Sequence, residues 1–483
     1  MSGGSAAVKG MTWMFAGNTL TRTVGLAGQI LIGWLLVPED FGIYAFALSM
    51  STAVVALRNG GSSQVVIQRG HEYHLRAGLF LRYSLVFNLI AMVLLLGVAV
   101  PFLLRSAPAG ILILGTAISL PLGTPAMLYR AKLAIDRRFR ELSTIGVWSA
   151  ALWQGSVVCL AFCGLGAMSF AIAPILQAGY ESLAGWRYVG AIPNARQKRP
   201  RQEYVQLFSQ TRWIMLSAAA VALATTGVYF VVGVLTDART VGAFFFAFQL
   251  VVAVSLPVYG AMETVFPPLL SQLGSDSARQ ISAYSRILRI TVVAAVPLSI
   301  ACALALPVSI HFVWNGKWDI AAPAAQILAG CIPAWLLITA GRALIEARGY
   351  WRTRFVILAI YGFGAIAAAA VGAHVGGVDA IALAVTLFYT TFAAVFLLCQ
   401  AKLGLALKRI VPLVLMSLAV NFGALLLSFS APIATRLSPD LHQWLILALF
   451  LAISGIGNAL FFRHAWLDAL KVVVQRTELR AQV

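Results

Sequence analysis

Residues 11–37 read MTWMFAGNTLTRTVGLAGQILIGWLLV, and residues 42–67 read GIYAFALSMSTAVVALRNGGSSQVVI. Each stretch carries a single arginine and no acidic residue. Each is longer than the ~20 predominantly apolar residues that a helix needs to cross ~30 Å of hydrocarbon. Neither stretch alternates between apolar and polar residues, as a transmembrane barrel strand would. Each stretch therefore predicts a membrane-spanning helix.

The same pattern recurs along the whole chain. Of its 483 residues, 60% are hydrophobic and 11% are charged, whereas a soluble domain is typically ~25% charged. This composition excludes a soluble enzyme, a disordered chain and a secreted disulfide scaffold. We predict an all-α integral membrane protein with fourteen transmembrane helices, roughly over residues 11–37, 42–67, 78–104, 109–131, 143–163, 166–190, 207–234, 241–268, 284–310, 322–345, 353–374, 377–399, 410–430 and 442–462.

The distribution of the net charge of +19 predicts the orientation of these helices. With the N-terminus inside, 25 Lys and Arg residues fall in inner segments, and the outer loops hold only Arg105, Arg239, Lys317 and Arg436. Because cytoplasmic loops are enriched in Lys and Arg, we expect both termini to be cytoplasmic. The basic run at 196–201 predicts contact with anionic lipid head groups rather than with nucleic acid.

An internal repeat divides the chain into similar halves. A shift of 200 residues aligns identical residues in helices 1–2 and 7–8, including Gly33 with Gly233, Gly42 with Gly242, and Phe46 with Phe246. A slightly larger shift pairs Arg130-Ala131 with Arg342-Ala343. Such parallel repeats build transporters with a path between two lobes. We therefore predict an N-lobe (1–190, helices 1–6), a basic cytoplasmic linker (191–206), a C-lobe (207–399, helices 7–12), and helices 13–14 with a cytoplasmic tail (400–483).

Two arginines lie deep within predicted membrane helices. Arg22 is ~18 Å from the start of its helix, and Arg58 is ~14 Å from the end of the next one. An arginine near the bilayer centre costs at least ~2.5–3.5 kcal/mol, so its presence indicates a functional site. Similar depths on adjacent helices predict that both guanidinium groups face one cavity. The alternative is that each arginine reaches the interface or pairs with a buried acid.

Polar neighbours support a water-filled face around both arginines. Asn18, Arg22 and Gln29 lie on one stripe of the first helix, because residues three or four positions apart share a helical face. In the second helix, Arg58 is followed by the polar, glycine-rich run from Asn59 through Ser62. The candidate substrate-binding residues are Asn18, Arg22, Gln29, Arg58, Asn59 and Ser62.

The remaining deep charges admit structural explanations. Glu263 is a candidate ion-coupling residue or a salt-bridge partner, and the sequence leaves both interpretations open. For Glu181 we expect an ion pair with Arg82 or Arg187. Other arginines near helix ends, including Arg130 and Arg342, are explained by side chains that extend to the interface.

Covalent chemistry and cofactors are not indicated by the sequence. The cysteines form no CxxC pair, and no histidine lies nearby at ligand spacing, so we expect no metal site. No phosphate-binding glycine motif precedes a Lys-Ser/Thr pair. No outer loop is long enough for a catalytic domain. We therefore expect no enzyme activity, no catalytic residues and no cofactor.

The stretches Leu36–Tyr44 and Leu57–Gln68 resemble the polysaccharide transporter family of the multidrug/oligosaccharidyl-lipid/polysaccharide exporter (MOP) superfamily. The resemblance implies an inner-membrane flippase of undecaprenyl-pyrophosphate-linked oligosaccharides, as used for lipopolysaccharide or exopolysaccharide. It gives Arg22 and Arg58 the role of binding the pyrophosphate. Glu263 departs from the family's tendency to place cations in the cavity.

The resemblance also implies partners, namely the lipid-linked oligosaccharide, membrane lipids, and the polymerase and glycosyltransferases of the same pathway. A multidrug exporter of the same superfamily is an alternative, although exporters of cationic drugs favour acids in the cavity. A membrane-embedded glycan polymerase or ligase is a second alternative, from a different functional class, and would need a large outer loop.

Overall fold

The computed structural model describes residues 3–68, 72–195, 197, 199–271, 273, 276–405, 407–430 and 439–462. The predicted cytoplasmic tail from residue 463 onward lies outside these residues, as do Arg196 and Lys198 of the predicted linker. The described residues form α-helices joined by turns and short 3-10 segments, without a strand. This agrees with the physics of a bilayer, where a helix satisfies its own backbone hydrogen bonds.

The chain divides into two compact units, residues 1–242 and 243–483. The helices of the first unit are α1 (Gly3–Leu35), α2 (Pro38–Val55), α3 (Ser62–Gln68), α4 (Tyr73–Leu104), α5 (Pro108–Leu122), α6 (Thr124–Ile135), α7 (Phe139–Phe162), α8 (Ser169–Val189) and α9 (Arg201–Leu235). α10 (Ala238–Ser271) begins within the first unit. The second unit continues with α11 (Ser277–Trp314), α12 (Ala322–Ala329), α13 (Cys331–Ala347), α14 (Trp351–Val375), α15 (Gly377–Cys399), α16 (Leu407–Ser430) and α17 (Pro439–Phe461).

The prediction of an all-helical integral membrane protein is confirmed. Within the described residues, nine helices are long and apolar enough to cross a membrane, or up to eleven if each of two bent helix pairs forms one span. α1, α2 and α8 occupy the first, second and sixth predicted spans but are not among these helices. The first and sixth of these spans contain Arg22 on α1 and Glu181 on α8, and the second contains Arg58 just after the end of α2. The count of fourteen crossings stays a prediction.

The boundary between the two compact units differs from the predicted boundary between the lobes. The sequence assigned residues 207–235 to the C-lobe, whereas α9 belongs to the first unit and packs against α2. The hydroxyl groups of Tyr83 on α4 and Thr211 on α9 form a buried hydrogen bond of 2.6 Å. The division of the chain into repeat-based lobes stays a prediction.

Two helix pairs bend at a glycine, one pair in each unit. α5 and α6 meet at Gly123 with a bend of 51°, and α12 and α13 meet at Gly330 with a bend of 44°. These pairs occupy the fourth and tenth predicted spans, which the repeat relates to each other. Arg130 and Arg342, which the repeat also pairs, each lie in the helix after the bend.

α2 ends abruptly within the predicted second span. Asn59, Gly60 and Gly61 have φ values of 57°, 58° and 66°, a left-handed conformation that interrupts a helix and favours glycine. At Gly60 a side chain would also collide with the rings of Tyr83 and Phe87. The polar, glycine-rich run after Arg58 is therefore a helix break, after which the chain continues as α3.

The residues after this break pack into a buried cluster of the first unit. α3 contacts α4 and α6. The cluster contains Val65, Val66, Tyr73, Ala77, Leu79, Phe80, Tyr83, Met127, Leu128, Ala131 and Leu207. This packing gives the polar break a rigid support.

Candidate functional site

The first unit contains a cavity of about 760 Å³, lined by α2, α3, α5, α6, α7 and α8 and by the break after α2. Most of its wall is apolar, but among the described residues three charged side chains line it, Arg58, Arg130 and Glu181. Two cations and one anion give these residues a net charge of +1. A concave site with a few convergent polar groups is the usual form of a ligand site.

The helix break places Arg58 at this cavity. Arg58 is the first residue of the 3-10 segment Arg58–Gly61. Its guanidinium group lies against the bend between α5 and α6, since a methyl group added to Gly123 would be 3.0 Å from Arg58 Nη2. The absence of a side chain at Gly123 leaves room for the guanidinium group.

Arg130 and Glu181 form an ion pair beside Arg58. Arg130 Nη1 lies 3.6 Å from Glu181 Oε2. Glu181 Oε1 accepts a 2.6 Å hydrogen bond from Ser149, whose hydroxyl accepts a 2.9 Å bond from Gln177. Arg58 lines the same cavity as Arg130 and Glu181. The three charged groups therefore form one electrostatic unit.

The prediction that Glu181 pairs with Arg82 or Arg187 is wrong. Arg82 donates instead to the carbonyl oxygen of Ala195 at 3.2 Å, and the ion pair of Glu181 is with Arg130. The interpretation of Arg130 as an interfacial side chain missed its place at the cavity. The helical spacing of Gln177 and Glu181 on α8 was a sequence signal for this polar face.

Asn59 and Ser62 hold the break together. Asn88 accepts a 2.8 Å hydrogen bond from the backbone N–H of Asn59, and its Nδ2 lies 2.8 Å from the hydroxyl of Thr124 and 3.0 Å from Asn59 Oδ1. The Ser62 hydroxyl donates to the carbonyl oxygen of Asn59 at 2.7 Å and bonds to Ser84 at 2.8 Å. Asn59 also lines the cavity, whereas Ser62 is fully buried and does not.

The polar stripe of α1 lies away from this cavity. Asn18 and Arg22 are exposed and Gln29 is half-buried, and none of the α1 side chains that the structure describes lines the cavity. α1 packs on α7 through a neighbouring face, where Gly17 and Gly28 contact Ser143 and Gln154. The structure does not bring Arg22 and Arg58 together in this cavity, and the substrate-binding role of Arg22 stays a prediction.

Glu263 belongs to a charged cluster in the second unit. It accepts hydrogen bonds from Tyr259 at 2.5 Å and from Arg342 Nη2 at 3.2 Å. Glu346 lies 3.8 Å from Arg342 Nη2 and 2.9 Å from Arg354 Nε. The structure thus supplies Arg342 as the partner that the ion-pair interpretation of Glu263 requires. In the described part of the chain, no group of His, Cys, Asp and Glu side chains could hold a metal ion.

The cavity residues lie within a segment that matches a known family. The model of the polysaccharide biosynthesis protein family matches residues 31–323, more than half of the chain. The chain belongs to this family. The matching segment includes Arg58, Arg130, Glu181 and Glu263, and it begins after Arg22. No curated protein matches the chain.

Solved structures of membrane transporters share the fold of this chain. The lipid II flippase MurJ, in an inward closed conformation, is 14% identical, with 93% of this chain and 99% of that chain covered and a TM-score of 0.72. An inward-facing multidrug resistance MATE family transporter is 16% identical over 82% of this chain and 99% of its own, with a TM-score of 0.57. Its outward-facing conformation covers 83% and 96% at 16% identity, with a TM-score of 0.52. These identities are low, so the comparisons concern the fold.

Proposed function

We propose that this protein is a flippase that moves undecaprenyl-pyrophosphate-linked oligosaccharide from the inner to the outer leaflet for polysaccharide export. The observation that carries the proposal is the placement of Arg58, by a helix break, at a cavity with a net positive charge. The family match adds a polysaccharide pathway, and the similarity to a protein described as a lipid II flippase adds a fold suited to lipid-linked substrates.

The chemistry of this function is binding and release, without catalytic residues or a cofactor. The guanidinium group of Arg58 would donate charge-assisted hydrogen bonds to the pyrophosphate, and such bonds are about twice as strong as neutral ones. Alternating access would then expose the bound head group to the outer face, while the lipid tail stays in the bilayer. No covalent bond forms or breaks in this cycle.

The proposed setting is the bacterial inner membrane, with fourteen spans and both termini in the cytoplasm, as the positive-inside rule predicts. The exposed stripe of Asn18, Arg22 and Gln29 on α1 would contact the substrate along its path. Asn59 and Ser62 would contribute by holding Arg58 in position. The glycosyltransferases that make the oligosaccharide and the polymerase that extends it would act before and after the flippase.

Removal of the Arg58 charge tests this function. Arg58→Ala, reconstituted in vesicles with a fluorescent pyrophosphate-linked oligosaccharide lipid, should lose translocation, measured as the fraction of lipid that becomes accessible to an outside quencher. Arg58→Lys should keep part of the activity, because it retains the charge but not the planar fork of donors. Arg105→Ala is the matched control, since Arg105 is exposed at the end of α4.

Full translocation by Arg58→Ala at normal protein levels would contradict the proposal. The multidrug alternative predicts a different result, namely export of cationic dyes by the wild-type protein. Because the cavity charge is positive, we expect the same vesicles to show no dye transport.

A further inference from the structure

Arg130 faces the cavity with hydrogen-bonding capacity that the described residues do not use. Its Nε is buried and has no hydrogen-bond partner among them. Its contact with Glu181 measures 3.6 Å, which is too long for a hydrogen bond. The side chain is 42% exposed. Glu181 therefore neutralises the charge of Arg130 but leaves the N–H donors of the partly exposed Arg130 guanidinium group available to another acceptor.

Glu181, in contrast, is fixed by its own surroundings. Its side chain is only 10% exposed, and the chain of hydrogen bonds from Gln177 through Ser149 holds the carboxylate in place. Removal of Arg130 would leave this anchoring intact. A single, fixed carboxylate thus lies at a cavity that two arginines also line, and it is the acid available to both as a counter-ion among the described lining residues.

We propose that Arg130 is a second phosphate-binding arginine in this cavity, and that Glu181 is the resident counter-ion that limits how tightly the phosphate binds. The proposal rests on the proposed function, because it assigns further residues to the same cavity. A pyrophosphate carries charge on both of its phosphate groups, and two guanidinium forks match two such groups. Arg58 and Arg130 are the two cations that line the cavity in the described part of the chain.

Glu181 would have two effects on the transport cycle. Without substrate, it balances the arginines, so that two partly buried cations do not stand unpaired. With substrate, it repels the phosphate, since like charges a few ångströms apart in a protein interact strongly. The repulsion favours release, which a transporter needs as much as binding.

The test measures binding of undecaprenyl pyrophosphate to the full-length protein in lipid nanodiscs. Arg130→Gln should weaken binding about tenfold, equivalent to ~1.4 kcal/mol. Glu181→Gln should tighten binding severalfold, and its amide oxygen can still accept the Ser149 hydrogen bond. Arg82→Gln is the matched control, since Arg82 bonds to a backbone carbonyl group on another part of the unit.

The double variant Arg130→Gln/Glu181→Gln separates binding from a purely structural ion pair. If Arg130 contacts phosphate, the double variant binds more weakly than Glu181→Gln alone. Equal binding by these two variants would overturn the proposal, because Arg130 would then matter only to Glu181. Unchanged binding in Arg130→Gln would overturn it as well.

Two further comparisons identify the ligand and separate this inference from the proposed function. Loss of binding in Arg58→Ala with normal binding in Arg130→Gln leaves the proposed function standing and removes only this inference. Normal binding in both variants removes both. Inorganic pyrophosphate serves as a competitor. If inorganic pyrophosphate displaces the lipid from the wild-type protein but not from Arg130→Gln, Arg130 recognises the phosphates alone. If Arg130→Gln weakens binding of the lipid but inorganic pyrophosphate does not compete, the lipid tail is also required. Both results support the proposal.

Discussion

The charged clusters in the two units differ in net charge. In the first unit, Arg58 and Arg130 share one acid, Glu181, at a cavity of about 760 Å³. In the second unit, two arginines face two acids around a cavity of about 190 Å³. This second cluster consists of Glu263, Arg342, Glu346 and Arg354. An anion can therefore enter the first site as the missing counter-charge, whereas in the second it would have to displace a resident acid.

α2 and α10, which the predicted repeat relates to each other, differ in whether the helix is interrupted. The repeat aligns Arg58–Gly61 with Val258–Ala261, which share only the third residue, a glycine. α2 ends before this segment, while α10 runs from Ala238 to Ser271. Of the two segments that the predicted repeat aligns, one interrupts its helix and carries a cavity-lining arginine, and the other continues its helix. The difference shows that the break, rather than the repeat itself, creates the cationic site.

The largest expected effect comes from the network that holds this break. Asn88→Ala should destabilise the protein by about 2 kcal/mol, because it leaves the buried N–H of Asn59 without its acceptor. Translocation per folded molecule should fall more than about tenfold, since misplacement of a binding group by about 1 Å has large kinetic effects. Thermal unfolding and vesicle translocation measure the two effects.

A buried asparagine in the second unit provides the control for Asn88. Asn421 on α16 accepts hydrogen bonds from Ser454 and Asn458 on α17. Asn421→Ala should lower the unfolding temperature by a similar amount but leave translocation per folded molecule unchanged. Equal functional losses in both variants would mean that the break has no special role.

The next largest effect is expected in the charged cluster of the second unit, where two arginines face two acids. Arg342→Gln should destabilise the protein by about 1–2 kcal/mol, because it leaves two acids without their shared partner, an effect reduced by the partial exposure of Glu263. The added change Glu263→Gln should restore part of this stability. Binding of undecaprenyl pyrophosphate should stay at the wild-type level throughout. A binding loss as large as that of Arg58→Ala would remove the contrast between the units.

The smallest expected effect tests whether Arg58 is held at the bend between α5 and α6. Gly123→Ala would place a methyl group 3.0 Å from Arg58 Nη2, so the guanidinium group must shift by a few tenths of an ångström. We expect translocation to fall about threefold, with little change in unfolding temperature. Gly146→Ala is the control, since its methyl group would lie 3.9 Å from Arg130 Nη2, an ordinary contact. Identical activities in the two variants would show that Arg58 is not held at the α5–α6 bend.

The sequence predicted the helices and the functional importance of Arg58, but not the partners of the charged residues. Hydropathy was sufficient for the helices, since each satisfies its own backbone. The polar run after Arg58 was recognised as unusual, but its left-handed residues and their contact with Asn88 needed the packed structure. From the sequence, Arg130 was interpreted as an interfacial side chain and Glu181 was paired with Arg82 or Arg187, and nothing in either local sequence indicates that Arg130 and Glu181 meet.

By itself, the sequence determined the all-helical membrane fold and the basic balance of the chain, because these properties depend on local composition and on the length of each helix. Only the tertiary structure decided which arginine reaches the cavity. Arg22 and Arg58 have similar predicted depths, yet α1 packs on α7 with its polar stripe outside the cavity, while the break after α2 places Arg58 at the cavity that Glu181 and Arg130 also line. Helical periodicity defines the face on which a side chain lies, but the neighbour that covers that face is chosen by the packing of helices distant in sequence.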